Sequence, residues 1–507
     1  MRILRVFRHL AARAGACVAC RVGIEARTGC DGDVTGARQP RGRIRLWGEI
    51  AALPGGKENH ALFEDASRWR CVTFGPSFGA AIDDTGAVYV WGQMEDGRFV
   101  EPQALEGAGI VDCRCSATDL YMLGADGNVY VLRDISHALR ERSETSGNRV
   151  QSSNVESGDE GATGASGHGS GTVARPQHAG EQAVDKASLP TPERVQGLSG
   201  KRIVKMSVGN AHAAFLADDG SLYCSGDNSF GQCGTKPSNV SIDLTFMWLP
   251  RSGAVPQELI GVRKVEFKDP TTSIVDVVCG GRHTCCVDSW GNVYTFGDDS
   301  SVQLFLGDTR GRTLLEHEQY RPFASPSRKA NRSYTTYTQT DRHLQFNPIP
   351  VTRVGKLSEY MHLIRGAPAT LAAGDDFTVV AATPEAQGSD RATHLIASGD
   401  NRFCQCTGVD VRMIRPRVTR LSGVLLPHSL GCGSSHCMAA LTNGQILGWG
   451  SNKHRQFGPN KRTVLTAPTA ILPPEHTDEG GASEPLPPET IQFMRCSFNN
   501  TAIITNS

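Results

Sequence analysis

Short runs of β-branched, aromatic and small residues recur along most of the chain, partly alternating with polar ones and cut by turns that carry glycine. The clearest run is Val275 to Gly297, VDVVCGGRHTCCVDSWGNVYTFG. Val275–Val287 and Asn292–Phe296 read as two strand patterns, the second carrying Val293 and Tyr294. Between them, Asp288-Ser289-Trp290-Gly291 reads as a hairpin turn closing in a bulge, with glycine where φ must be positive. One hairpin cannot bury its own faces, so the number of copies decides the architecture.

Aligned on the turn glycine, copies run from Trp69 to Gly92 (turn at Gly86), Val111 to Arg133, Val204 to Gly226, Val275 to Gly297 (Gly291), Leu371 to Gly399 and Ser429 to Gly450 (Gly444). The second copy has decayed, with Leu132 and Arg133 where others show an aromatic residue and glycine. A seventh copy is divided: Ile491–Thr505 supplies a first half and Gly42–Gly48 a second. The pattern predicts an all-β ring whose last unit is closed by N-terminal and C-terminal segments together, which removes most free sheet edges. Pro-x-x-aliphatic segments at Pro102, Pro192, Pro256 and Pro468 are expected to start outer edge strands, where no ladder donor is needed.

Three stretches break the periodicity. Residues 143–188 are dominated by Ser, Gly, Glu, Ala and Thr and cannot repay the entropy of ordering, which predicts a disordered insertion. Residues 310–347 form a long basic and aromatic loop. Residues 1–41 carry Arg2, Arg5, Arg8, Arg13, Arg21 and Arg27, no acid before Glu25, and Ile3, Leu4, Val6, Phe7 and Leu10. That composition matches a mitochondrial presequence; cytoplasm or nucleus is the alternative address.

Composition narrows the picture further. The 52 basic and 52 acidic side chains balance, so no global charge favours nucleic acid or an anionic membrane. No apolar run approaches the length of a bilayer span. Among 16 cysteines, Cys115, Cys279, Cys432 and Cys496 share one repeat position, which fits small buried thiols in a reducing compartment better than disulfides or metal ligands. Cys17 and Cys20 form an isolated pair without further ligands at metal spacing.

Three motifs recur at several copies: Gly-x-x-His (Gly209–His212, Gly280–His283, Gly433–His436), Val-Tyr-x-Trp-Gly (Val88–Gly92) and Asn-x-x-Gly-Gln-x-Gly (Asn228–Gly234). They resemble the repeat of the regulator of chromosome condensation family. That resemblance implies a seven-bladed β-propeller of four-stranded blades over residues 42–507. It also implies a choice of activities, since the family includes a guanine-nucleotide exchange factor for a small GTPase, scaffolds, ubiquitin-ligase modules and mitochondrial proteins linked to ribosome maturation. Phe78, Asp119, Phe377 and Asn500 depart from the His position, and Ser225 and Ser398 from the Trp position.

His212, His283 and His436 recur at one position and are therefore read as structural, each bonding backbone within its own blade, alongside Gly86, Gly291 and Gly444. No nucleophile–base–acid order or paired carboxylates stand out, so no catalytic residue, metal or cofactor is expected. Partner-binding candidates are Phe246 and Trp248 in the segment Lys236–Pro256, and Arg321, Tyr334 and Tyr337 in Arg310–Asn347. Basic residues interleaved with aromatics can also grip single-stranded RNA. The sequence thus points to a non-enzymatic propeller scaffold in mitochondria, binding protein partners of a larger complex in ribosome assembly or RNA processing. Nucleotide exchange on a small GTPase is the alternative.

Overall fold

The computed structural model describes residues 43–49, 52–54, 63, 68–93, 99–105, 107, 109–135, 139, 191–237, 259–307, 344–364, 369–384, 391–411, 415–458, 462–471 and 491–505. The presequence-like segment, the insertion 143–188 and most of 310–347 lie outside them.

Six four-stranded antiparallel sheets follow one another. Blade 1 holds β2 (Trp69–Phe74), β3 (Phe78–Asp83), β4 (Val88–Gln93) and β5 (Phe99–Ala104); blade 2 holds β6 (Ile110–Cys115), β7 (Leu120–Gly124), β8 (Val129–Leu132) and β9 (Glu193–Arg194). Blade 3 holds β10 (Ile203–Val208), β11 (His212–Ala217), β12 (Leu222–Asp227) and β13 (Leu259–Lys264); blade 4 holds β14 (Ile274–Cys279), β15 (His283–Asp288), β16 (Val293–Asp298) and β17 (Leu344–Pro350). Blade 5 holds β18 (Thr370–Ala373), β19 (Phe377–Ala382), β20 (His394–Gly399) and β21 (Arg417–Arg420); blade 6 holds β22 (Leu425–Cys432), β23 (His436–Leu441), β24 (Ile446–Ser451) and β25 (Val464–Ala470).

The seventh sheet joins distant parts of the chain. Its order is β1 (Arg43–Trp47), β27 (Asn500–Thr505) and β26 (Ile491–Ser497), with Arg43 opposite Thr505 and Trp47 opposite Thr501. The first strands β2, β6, β10, β14, β18, β22 and β26 touch in cyclic order, so the ring is closed. The protein is a seven-bladed β-propeller.

The core consists of seven apolar layers, one at each junction between blades. Phe78, Ile82 and Val90 of blade 1 meet Cys113, Leu120 and Met122 of blade 2. Leu46, Ala502 and Ile504 of blade 7 meet Trp69, Phe74 and Trp91 of blade 1. Second strands lie between two neighbouring blades and are buried on both faces throughout β3, β11, β15, β19, β23 and β27. That explains why they read as nearly continuous small and apolar runs rather than alternating ones.

The same burial corrects the reading of Val275–Val287 as one strand pattern. Gly280–Arg282 breaks it into β14 and β15, two antiparallel strands paired through Cys279 and Thr284. The prolines are also shifted. Pro192 immediately precedes β9, but Pro102 and Pro468 lie inside β5 and β25, within register shifts after Val90 and Gly448. A bulge leaves the prolyl nitrogen without a ladder bond to lose. Residues 344–347, read as the end of a loop, form the start of β17, with Leu344 opposite Asp298 and Gln345 opposite Gly297.

The turn glycines share one backbone geometry, to which blades 1 and 4 add an aspartate. Gly86, Gly291 and Gly444 have φ near +83°, +81° and +81°. Asp288 Oδ1 accepts from the Trp290 and Asn292 amides at 2.9 and 2.8 Å, and Asp83 does the same for Thr85 and Ala87. A side chain at these glycines would require a left-handed backbone that L-residues disfavour.

Candidate functional site

Antiparallel order places the turn between first and second strands, and the connection between third and fourth, at the same end of every blade. One face of the ring therefore carries all the Gly-x-x-His turns. Six of these turns are joined by five backbone bonds around the axis. The Ala117 amide donates to Asn210, Asn210 to Gly281, Gly281 to Asp375, Asp375 to Ser434 and Ser434 to Phe498, at 2.7–3.3 Å. Blade 1 has Pro76 at this position, which has no amide hydrogen to give to blade 2.

Beneath the turns, the first strands surround an axial cavity of about 480 Å³. Its wall includes Arg114, Lys205, Asp276, Asp375 and Arg495. Lys205 pairs with Asp276, joining β10 to β14. Arg495 of β26 pairs with Asp112 of β6 at 2.9 Å, and Arg114 with the same carboxylate at 3.2 Å. Although burial opposes ionisation, the Arg114 and Arg495 charges hold the Asp112 carboxyl at about 2.

The repeated histidines do not bond backbone within their own blades, as their recurrence had implied; each reaches a threonine of the next. His212 Nε2 lies 3.0 Å from Thr284 Oγ1, His283 Nε2 2.7 Å from Thr378 Oγ1, and His436 Nε2 3.0 Å from Thr501 Oγ1. Thr284 already donates its hydroxyl hydrogen to the Gln232 carbonyl at 2.8 Å, so His212 must donate from Nε2. The preceding glycines make room: a Cβ on Gly209, Gly280 or Gly433 would collide with the imidazole. Blades lacking the histidine, at Phe78, Asp119, Phe377 and Asn500, precede blades with Leu120, Ala213, Cys437 and Gly79 at the threonine position. His and Thr are thus present together or absent together at all seven junctions.

Two junctions without the His–Thr pair are tied by an indole instead. The Trp449 indole of blade 6 donates to the Gln405 carbonyl of blade 5 at 2.9 Å, and the Trp91 indole of blade 1 donates to Ala52 at 2.8 Å. Asn228, Asn401 and Asn452 hold their loops through both ends of the amide, accepting from Cys233, Cys406 and Phe457 and donating to backbone carbonyls.

Burial drives His212 down to about 4, and His283 and His436 to about 3. Unfolded imidazoles titrate near 6.5, so between that value and the folded ones the unfolded chain binds more protons. The stability these neutral histidines supply is full above pH 6.5 and is lost as pH falls, at about 1.4 kcal/mol per pH unit for each. Urea unfolding followed from about pH 7 to pH 4 should show this slope, and His283→Asn should reduce it by about one proton. An unchanged slope in the variant would contradict the assignment.

Among the described residues, no three His, Cys, Asp or Glu side chains converge as a metal site. Cys115, Cys279 and Cys496 are buried and Cys432 is half-buried, and all four line the axial cavity. The candidates Phe246, Trp248, Arg321, Tyr334 and Tyr337 lie outside the described residues. The structure brings together residues not singled out from sequence: Thr284, Thr378 and Thr501, and the Arg495–Asp112 pair. The threonines had a signal in the sequence, a Thr one place after the His position in just those blades that follow a histidine-bearing one.

Comparison with known proteins accords with this geometry. Models of the regulator of chromosome condensation (RCC1) repeat match residues 203–232, 274–303 and 428–456, and also 219–287. The chain is 25% identical over 308 residues to the E3 ubiquitin-protein ligase HERC2 of Homo sapiens, covering 57% of this chain and 6% of that protein. It is 23% identical over 309 residues to the human RCC1-like G exchanging factor-like protein, covering 60% of this chain and 51% of that one. Protein FMP25, mitochondrial, of Saccharomyces cerevisiae is 23% identical over 304 residues, covering 56% and 45%. The chain therefore spans about half or less of the length of these relatives. Prp20p of Saccharomyces cerevisiae, solved in a study of its binding to Gsp1p and histones, has the same fold, with a TM-score of 0.54 at 15% identity over 92% of each chain. The chain thus carries regulator of chromosome condensation (RCC1) repeats, matched over residues 203–303 and 428–456, in a seven-bladed propeller.

Proposed function

We propose that the protein is a non-enzymatic interaction propeller of mitochondria, holding protein partners of a larger complex in ribosome assembly or RNA processing. The observation that carries this reading is topological. Residues 141–190, 238–258 and 308–343 join third to fourth strands in blades 2, 3 and 4, so all three connections start and end on the face of the Gly-x-x-His turns. Three long connections therefore leave consecutive blades on one face, and their sequences include Phe246, Trp248, Arg321, Tyr334 and Tyr337. The arginine-rich, acid-poor start of the chain and the likeness to a protein named as mitochondrial support the address.

Two measurements test the reading. Residues 1–40 fused to a fluorescent reporter should direct it to mitochondria; a diffuse cytosolic signal would sink the localisation. Full-length protein recovered from isolated mitochondria should carry a defined set of proteins, and deletion of 308–343 should lose them while the melting temperature stays the same. Retention of the whole set would remove that connection from the docking face.

Nucleotide exchange on a small GTPase is the second reading, favoured by the likeness to a protein named as an RCC1-like G exchanging factor. Release of a fluorescent guanine nucleotide from a co-purifying GTPase, accelerated by the purified chain, would put this reading first.

A further inference from the structure

The junction of blades 7, 1 and 2 is built unlike the others. Between blades 1 and 2 the turn bond is missing, because of Pro76, and, as at three other junctions, so is the His–Thr contact, with Phe78 and Leu120 there. In their place, Cys71 of β2 and Cys113 of β6 bring their sulfurs to 3.7 Å. Arg495 crosses from β26 to hold both residues: Nη1 donates to Cys71 Sγ at 3.0 Å and to the Cys113 carbonyl at 2.8 Å, while Nη2 donates to Asp112 at 2.9 Å. Cys71 and Cys113 are 3% and 0% exposed, and Arg495 9%.

We propose that Cys71 and Cys113 form an oxidation site at this seam, where a small hydroperoxide converts the two thiols into a disulfide joining blades 1 and 2. Two positive side chains, Arg495 and Arg114, converge on the single carboxylate of Asp112, leaving room for one more negative charge beside Arg495. A thiolate at Cys71 supplies it. Burial pushes the Cys71 thiol up, but the hydrogen bond from Cys113 and the Arg495 charge outweigh it and leave it below its ordinary value. Cys113 is held well above its own, mainly by burial and by its contact with Cys71. One sulfur is therefore prepared as nucleophile and the other kept as a thiol.

The chemistry balances as follows. With hydrogen peroxide as the hydroperoxide, Cys71 thiolate attacks one of its oxygens; an S–O bond forms, the O–O bond breaks, and the departing hydroxide takes a proton and leaves as water. Cys71 is now a sulfenic acid. The Cys113 sulfur then attacks Cys71, forming the S–S bond and breaking the S–O bond, and the released hydroxide takes the Cys113 proton as a second water. Two electrons pass from the thiol pair to the peroxide. The sulfurs need close only from 3.7 Å to a bond length of about 2 Å. Oxidation also removes the negative charge beside Arg495, so the thiol state acts directly on the side chain that ties the closing blade to its neighbours.

The test uses the full chain, reduced, exposed to hydrogen peroxide, alkylated and digested. A peptide containing Cys71 joined to one containing Cys113, lighter by two hydrogens, is the expected product; Cys71→Ser and Cys113→Ser should each abolish it. Arg495→Lys should keep the reaction, and Arg495→Met should slow it by about tenfold. Both thiols fully alkylatable after peroxide treatment, or a link at Cys432–Cys437 in place of this one, would overturn the proposal. So would an equal rate in a folded Arg495→Met protein. If that variant does not fold, native alkylation of Cys71 decides: a midpoint below about pH 8.5 supports the proposal, and one at or above it overturns it. The groups that set this midpoint are Arg495, Asp112 and Cys113.

Discussion

A chain ending at residue 490 will lose its cooperative melting transition altogether rather than melt a few degrees earlier. The deletion removes β26 and β27, and with them two of the seven interblade layers: that of Met494, Cys496 and Ile503 against blade 6, and that of Ala502 and Ile504 against blade 1. Burial of Met494, Ile503 and Ile504 alone contributes about 5–9 kcal/mol. That is comparable with the whole stability of an ordinary folded domain, about 5–15 kcal/mol. The deletion also strips β1 of its only partner among the described strands and leaves Asp112 without Arg495. Circular dichroism melts of the full and shortened chains, compared at equal concentration, measure the effect. A shortened protein melting at an unchanged temperature with an unchanged slope would show that the seventh blade is not needed to close the ring.

Replacing Asp299 with asparagine will stabilise the protein, and by more at neutral than at acid pH. In blades 3, 5 and 6 the equivalent residue is Asn228, Asn401 or Asn452, whose amide nitrogen donates to a backbone carbonyl. Blade 4 has a carboxyl there. Asp299 Oδ1 accepts from the Leu304 amide at 2.9 Å, but Oδ2 is buried without a partner among the described residues. Burial pushes the carboxyl well above its ordinary range, with the Asp298 charge acting in the same direction. A folded value raised above the unfolded one means that the folded state binds more protons. The contribution of the protonated carboxyl is therefore full below about pH 4 and is lost as pH rises through the folded value. Asparagine removes that loss and restores the donor. The expected gain is about 1–3 kcal/mol near pH 7, shrinking toward pH 4. Urea midpoints of Asp299→Asn across that range check both size and trend; a variant less stable at pH 7 would refute the account.

Both effects concern positions whose role becomes visible only when copies are compared, and this shows where the sequence was readable. Turn glycines such as Gly86, Gly291 and Gly444 act locally, through a backbone angle that one residue adopts. The register of β15 against β16 likewise follows from a turn and the burial of both neighbours. The divided seventh copy was legible for the same reason: an unpaired half-repeat at each end needs a partner, and each is the other's. By contrast, the boundary between β14 and β15 was missed because second strands, buried on both faces, do not alternate. The start of β17 was missed because its apolar residues Leu344 and Phe346 follow directly on a long basic and aromatic run and read as part of it.

The histidines mark the limit most clearly. Their recurrence pointed to a structural role within each blade, but the contact lies across a junction, to a threonine 65 to 95 residues further along. The same holds for Arg495 and Cys71, separated by 424 residues and brought together only because the ring closes. What the sequence alone determined is the repeating unit, its turns and the number of blades, since each rests on local backbone preference and on the need to bury a strand. What only the tertiary structure decided is which side chains meet at the seams, because their partners belong to different repeats and their charges and hydrogen bonds act only once the blades are packed.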